Sequence, residues 1–200
     1  MQLESIERLI LAFSTLPGIG KKSARRLTFF LLDHDPSLGK NLSEALLGVY
    51  ESIDHCPQCG FYKTREEPCS LCSDLHRDTA SLCVVSKIQD CIAIESSNAF
   101  LGQYHILGGT ISPLDGVSPK DLRIDALFQR IADGSFTEIV LALDATVDGE
   151  TTAQYLYSHL DGSDLRITRI AAGIPFGTEL EYTDRITISR ALNMRRDFSR

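Results

Sequence analysis

The sequence has no long apolar run. Stretches such as Leu82–Val85 and Ile139–Leu143 fall far short of the roughly 20 residues that a bilayer-crossing helix needs, which excludes a membrane span. A basic, apolar leader is missing too. Met1-Gln2-Leu3-Glu4-Ser5-Ile6-Glu7 is acidic and runs straight into an amphipathic pattern, so no secretory signal is expected and the chain is assigned to the cytoplasm. Internal repeats and low-complexity tracts are absent. With 43% hydrophobic and 24% charged residues, 7 prolines and 14 glycines, the composition is ordinary for a globular protein and excludes collagen-like and wholly disordered classes. Positive charge is scarce: 20 Lys+Arg stand against 27 Asp+Glu, a net of −7, and an average surface of that sign repels a phosphate backbone. The scarcity is uneven. Residues 1–32 carry five basic groups (Arg8, Lys21, Lys22, Arg25, Arg26) and two acidic ones (Glu4, Glu7), a net of +3 that leaves −10 for residues 33–200. A polyanion contact is therefore sought at the amino-terminal end.

Apolar residues at Leu3, Ile6, Leu9, Ile10 and Phe13 have helical spacing, which Leu16-Pro17-Gly18-Ile19-Gly20 then breaks. A second helix is predicted over Lys21–Leu32, with Ala24, Leu27, Phe30 and Leu31 on one face. A third is predicted near Leu42–Ile53, with Asn41 as its cap and Glu44 three residues on. From His55 to Asp78 hydrophobic periodicity collapses into Cys, Pro, Gly and charge, so side chains alone cannot give this stretch a core. Beyond it, β-rich runs (Leu82–Val85, Cys91–Ile94, Glu138–Leu143, Arg166–Ala171) alternate with helical stretches near Asp121–Ala132 and Thr151–Leu160. That alternation predicts βαβ units and a mainly parallel sheet.

Four of the six cysteines fall as Cys56-x-x-Cys59 and Cys69-x-x-Cys72, two pairs with nine residues between them. Zn²⁺ takes four soft ligands at about 2.3 Å, and a Cys-x-x-Cys turn supplies two thiolates from one tight loop. Pro57, Gly60 and Pro68 are the residues that such knuckles use to turn sharply. The alternative is a pair of disulfides, which needs an oxidising compartment. With all four positions filled by protein, the metal is expected to be a structural staple without catalytic duty. Cys83 and Cys91 fall in predicted strands and read as small buried thiols.

Between the first two helices, Gly18 and Gly20 let backbone approach closely, and free N–H groups at the start of the second helix can take a phosphate oxygen. Lys21, Lys22, Arg25 and Arg26 cluster in its first two turns. The alternative is a plain helical corner with a solvated basic face. Leu-Pro-Gly-Ile-Gly followed by Lys and Ser-Ala resembles the helix-hairpin-helix motif of DNA-repair and replication proteins, which implies sequence-independent backbone binding.

Glu138–Leu143 reads as a buried strand that ends in Asp144-Ala145-Thr146-Val147-Asp148-Gly149-Glu150. Carboxylates at such a strand end invite a Mg²⁺ reading. The arrangement resembles a Toprim domain, the module of topoisomerases, DnaG-type primases and some nucleases, which uses a glutamate after its first strand and an Asp-x-Asp after a later one. Here Ser86 stands in place of that glutamate and Thr146 in place of the second aspartate. Asp90 and Glu95 are the carboxylates nearby in sequence. A Mg²⁺-dependent nuclease or primase-like phosphotransferase is the competing reading, and a protein-interaction adaptor is a third.

The order of hairpin, four-cysteine knuckle and Toprim-like sheet resembles the RecR family of bacterial recombination mediators over essentially the whole chain. Other segments fit it too: Tyr104-His105-Ile106-Leu107-Gly108-Gly109, Ile111-Ser112-Pro113-Leu114-Asp115-Gly116, Thr168-Arg169-Ile170-Ala171, and Gly173-Ile174-Pro175 leading to Leu180-Glu181-Tyr182. The resemblance implies a multi-part α+β and α/β fold. Its parts are a helix-hairpin-helix domain over 1–54, a four-cysteine zinc finger over 55–78, a Toprim-like domain with a mainly parallel sheet over 79–175, and a C-terminal oligomerisation segment over 176–200. It further implies a non-enzymatic, nucleoid-associated factor that forms ring-like tetramers, acts with RecO and RecF, and loads RecA on gapped or single-stranded DNA. By position, Lys22 and Arg26 become DNA contacts, Cys56, Cys59, Cys69 and Cys72 the Zn²⁺ ligands, and Asp144, Asp148 and Glu150 part of a RecO-facing surface. The family commonly has Asn-Pro-Thr-Val-Glu-Gly-Glu where this chain has Asp-Ala-Thr-Val-Asp-Gly-Glu. The carboxyl-terminal Arg190, Arg195, Arg196 and Arg200 read as a solvated tail.

Overall fold

A computed structural model describes residues 3–171 and 173–195. The chain divides into two units, Met1–Ile53 and Asp54–Arg200.

The first unit is helical: α1 (Glu4–Ser14), α2 (Lys21–Asp33) and α3 (Pro36–Ser52). Ile10 of α1 and Ala24 and Thr28 of α2 are buried where the two helices pack, with the Thr28 hydroxyl donating to the Ala24 carbonyl. Phe30, expected on the inner face, is about half exposed. The third helix begins at Pro36, with its cap at Asp35, six residues before the predicted Asn41 cap. Asp35 accepts from the Ser37 N–H at 2.9 Å and Pro36 occupies the first turn, where a missing N–H costs nothing, so Asn41 lies in mid-helix.

After α3 comes a two-stranded sheet of β1 (Ile53–His55), whose first residue is the last of the first unit, and β2 (Tyr62–Thr64). The body of the second unit is a four-stranded, fully parallel sheet in the order β4-β3-β5-β6, built from β3 (Asp78–Val85), β4 (Gly102–Ile106), β5 (Glu138–Ala142) and β6 (Arg166–Arg169). Crossovers are made by α4 (Ile88–Ser97), α5 (Ile124–Asp133) and α6 (Val147–Leu160), and α7 (Arg185–Asn193) follows. Period-two alternation loads both faces. Leu82, Val84, Ile139 and Leu141 pack with Ile124, Leu127 and Leu156 of α5 and α6. Cys83, Val85, Tyr104, Ile106 and Ala142 pack with Ile88 and Cys91 of α4 and with Cys56, Cys59, Cys69 and Leu71.

One predicted strand changes identity and another strand lies outside every predicted run. Cys91–Ile94 is helix, with Ile88 and Cys91 buried three residues apart while Ile92 is half exposed. The second strand of the sheet is instead Gly102–Ile106, which no predicted run covers. Cys91 is buried as expected, but on a helix.

Arg77 ties α4 to the sheet. Its guanidinium donates to both Glu95 carboxylate oxygens, at 3.1 and 2.5 Å, and to the Gly102 carbonyl at 2.9 Å. The hydrogen bonds from Arg77 hold the Glu95 carboxyl below its ordinary value of about 4.3. A carboxyl depressed by folding stabilises the native state above its unfolded pKa and loses that contribution as pH falls through the folded value. Denaturation of wild type and Glu95→Gln should therefore differ most at neutral pH. The difference should shrink once pH drops below about 4.3.

Candidate metal centre and nucleic-acid interface

Four sulfurs converge in the second unit. The Cys56 and Cys72 Sγ atoms lie 3.9 Å apart, those of Cys59 and Cys69 lie 3.6 Å apart, and all four fall within 4.8 Å of one another. Disulfides are excluded, because an S–S bond is about 2.05 Å. A tetrahedral ion with ligands at about 2.3 Å sets its sulfurs about 3.8 Å apart, so the donor set fits such an ion. Two turns build it. The Gly60 N–H donates to the Cys56 carbonyl with Gly60 at φ +84°, the Phe61 N–H points at Cys59 Sγ at 3.5 Å, and the Ser73 N–H closes on the Cys69 carbonyl. Burial alone would push the Cys56 thiol up, but N–H groups from Cys59 and Gln58 hold it down at about 7. Cys59 moves the other way, raised by its hydrogen bond with Cys72 and by burial. A cation at the centre relieves that conflict, since it stabilises all four thiolates together.

Two arginines that sequence reasoning did not single out hold the knuckle to the sheet. Arg123 donates to the Pro57 carbonyl at 2.5 Å, and Arg130 donates to the Tyr104 carbonyl at 2.6 Å and to the Gln58 carbonyl at 3.5 Å. Burial lowers the Arg130 pKa, and the nearby cysteines oppose that shift. Sixty or more residues separate each arginine from the carbonyls it holds in the knuckle, a spacing that carries no local signal.

In the first unit the hairpin turn closes with the Ile19 N–H on the Leu16 carbonyl, and Gly18 takes φ +79°. Only glycine enters that region without strain. Gly20 is the residue before α2 and caps it with no side chain, which leaves the first N–H groups without a side-chain acceptor. Lys21, Lys22, Arg25 and Arg26 are all exposed. Lys21, Lys22 and Arg25 line one side of a groove of about 540 Å³ against Glu7, Ile10 and Leu11 of α1.

The acidic strand end is arranged differently from a metal site. Ser86 is buried after β3 and its hydroxyl has no partner among the described residues. Thr146 caps α6 by accepting from the Gly149 N–H at 3.1 Å, and a Cβ on Gly149 would lie 2.0 Å from the Asp144 carbonyl oxygen. Glu150 is engaged by both guanidinium nitrogens of Arg169, at 3.0 and 2.8 Å, and lies 3.7 Å from Arg190. Asp144 is exposed and Asp148 half-buried, and neither is in an ion pair among the described residues. Asp90 caps the Lys87 N–H and Glu95 belongs to Arg77, so neither is free to substitute for a missing ligand. Among the described residues only the four cysteines form a group of three or more donors close enough to hold an ion. Arg190, expected in a solvated tail, instead lies in α7 and donates to the Ala145 carbonyl at 3.0 Å. Arg195 donates to the Leu192 carbonyl, and Arg196 and Arg200 lie outside the described residues.

Comparison with known proteins follows the same order along the chain. Family models described as "RecR, helix-hairpin-helix", "Toprim domain" and "RecR, C-terminal" match residues 6–49, 80–171 and 173–196. A protein of Acidothermus cellulolyticus named Recombination protein RecR is 48% identical over 191 residues, 96% of each chain. The chain belongs to the RecR family. Further relatives of the same name come from Tropheryma whipplei, 45% identical over 98% of each chain, and Streptomyces coelicolor, 44% identical over 96% of each. In this RecR-family chain the hairpin, the cysteine cluster and the parallel sheet occupy separate sequence blocks. No described helix is long and apolar enough to cross a membrane.

Proposed function

We propose that the chain is a non-enzymatic mediator of DNA repair and recombination that grips the sugar–phosphate backbone of gapped or single-stranded DNA. In this reading it acts with RecO and RecF to load RecA. The observation that carries the reading is the set of four exposed cations on the first turns of α2, beside an uncapped helix start, in a chain of net −7. Gly18, Gly20, Lys21, Lys22, Arg25 and Arg26 form the DNA contact. Cys56, Cys59, Cys69 and Cys72 hold structural Zn²⁺, and Asp144, Asp148 and Glu150 lie on the surface that meets RecO. The working divisions are 1–54 for DNA binding, 55–78 for the zinc finger, 79–175 for the Toprim-like domain and 176–200 for assembly.

One hairpin with about four phosphate contacts binds only in the range of roughly 10⁻⁴ to 10⁻⁶ M, so useful affinity needs several copies on one particle. A homo-oligomer, of four subunits in this reading, is supported by α3. None of its residues is buried, and Leu38, Leu42, Leu46, Leu47, Val49 and Tyr50 are all exposed on it. Log affinity for oligodeoxythymidylate should fall against log salt with a slope of about −3 per engaged hairpin, from about 0.7 to 0.9 per phosphate. A flat response overturns the reading. Labelled DNA incubated with Mg²⁺ or Mn²⁺ should remain intact. Turnover that disappears in Asp144→Ala would establish the enzyme instead.

A further inference from the structure

We infer a second nucleic-acid contact, on the Asp54–Arg200 unit: a pocket that takes one nucleotide of a single strand, with its phosphate on Lys87 and Arg123 and its base against Tyr62 and His55. The inference rests on the DNA-binding reading above and adds a site that the hairpin does not contain.

The pocket has a volume of about 430 Å³ and lies beside the carboxyl ends of β3 and β4, where open parallel sheets place their ligands. Its charge sets it apart. Residues 33–200 carry a net of −10, yet Lys87 and Arg123 line this pocket and no Asp or Glu does. Neither cation is in an ion pair among the described residues. Asp90, the carboxylate nearest Lys87 in sequence, is turned to the Lys87 N–H as a cap, and Asp121, two residues before Arg123, accepts from the Ser118 N–H and hydroxyl. Lys87 is exposed. Arg123 is positioned from two sides, by its donation to Pro57 and by its own carbonyl, which meets His105 Nε2 at 2.9 Å. Its Nε is buried and finds no acceptor among the described residues. A Cβ on Gly60 would lie 3.0 Å from both that Nε and the Ile106 carbonyl oxygen, so glycine lets the backbone pass this close to the guanidinium.

The remaining walls suit a base. Tyr62 and His55 pair with ring centroids 4.9 Å apart, and both are exposed. His55 is fixed by contact of its Nδ1 with the Gly60 carbonyl at 3.1 Å, and Ile88 and Ile106 add apolar surface. Cations beside an exposed ring platform are the pairing by which proteins hold single strands, because duplex bases are stacked on one another and cannot reach such rings.

The test uses the full-length, metal-loaded protein and an oligodeoxythymidylate carrying 5-iodouracil, which cross-links to aromatic side chains on irradiation. Cross-links should map to Tyr62 or His55. Tyr62→Ala should weaken oligodeoxythymidylate binding about tenfold, leave duplex binding unchanged and retain metal, while Tyr62→Phe should bind as wild type. Lys87→Glu, on an exposed side chain, should reduce both cross-link yield and affinity. Wild-type behaviour of Tyr62→Ala and Lys87→Glu, with binding still abolished by Lys22→Glu/Arg26→Glu, removes this pocket and leaves the hairpin standing. Failure of the wild-type protein to bind any oligonucleotide overturns both.

Discussion

Reversing Lys22 and Arg26 to glutamate should lower DNA affinity at least a hundredfold near 0.1 M salt while metal content, particle size and melting temperature stay unchanged. At that salt the roughly 0.7 to 0.9 counterions released per phosphate are worth about five- to eightfold, so losing two of about four contacts accounts for roughly 25- to 60-fold, and repulsion by the two new carboxylates adds the rest. The fold should tolerate the change. Both side chains are exposed, and Lys22 lies in the first turn of α2, where a carboxylate is favoured by the helix dipole. Anisotropy titrations of the double variant measure the loss, and retained wild-type affinity would reject the hairpin as the DNA contact. Particle size separates the adaptor reading, in which the same substitutions should break the assembly.

Loss of the metal should have an effect of comparable scale on stability. Cys69→Ser, or a strong chelator acting on wild type, should take one Zn²⁺ per chain to none. Apparent binding energies for structural zinc are about 10–16 kcal/mol, as large as the roughly 5–15 kcal/mol that holds a whole domain. The cysteines also pack with Cys83, Val85, Cys91, Tyr104 and Ile106, so their release opens one face of the sheet. Amide exchange should quicken across residues 55–77 and along β4, and the thermal transition should move down by tens of degrees. Unchanged exchange in a metal-free protein would show that the knuckle folds without its ion.

The parts of the site that could be read from sequence are those whose chemistry is local. A Cys-x-x-Cys turn and a Pro-Gly-x-Gly corner put their ligands and glycines within a few residues, and the fold brings all four sulfurs together as their spacing implies. Elements decided by distant packing were harder. Cys91-Ile92-Ala93-Ile94 has the apolar density of a strand, yet Cys91 joins Ile88 on one helix face. Gly102–Ile106 hides its strand behind Gly, Gln and His, because burial of both sheet faces removes the polar alternation that marks a strand. Asn41 is of a capping residue type, but Asp35-Pro36 supplies a better cap upstream and leaves Asn41 in mid-helix. Arg77, Arg123 and Arg130 show no pattern at all, since each finds its partners through the tertiary fold.

The knuckle also shields the rim of the sheet. β4 is an outer strand, and the Ile106 N–H, which would otherwise face outward, donates to the Cys59 carbonyl at 2.8 Å. A bare strand rim is a template for pairing with other chains. On the proposed zinc reading, removing the ion would free this rim, and the metal-free chain would be lost to irreversible association between copies rather than persist as a dissolved, idle pool.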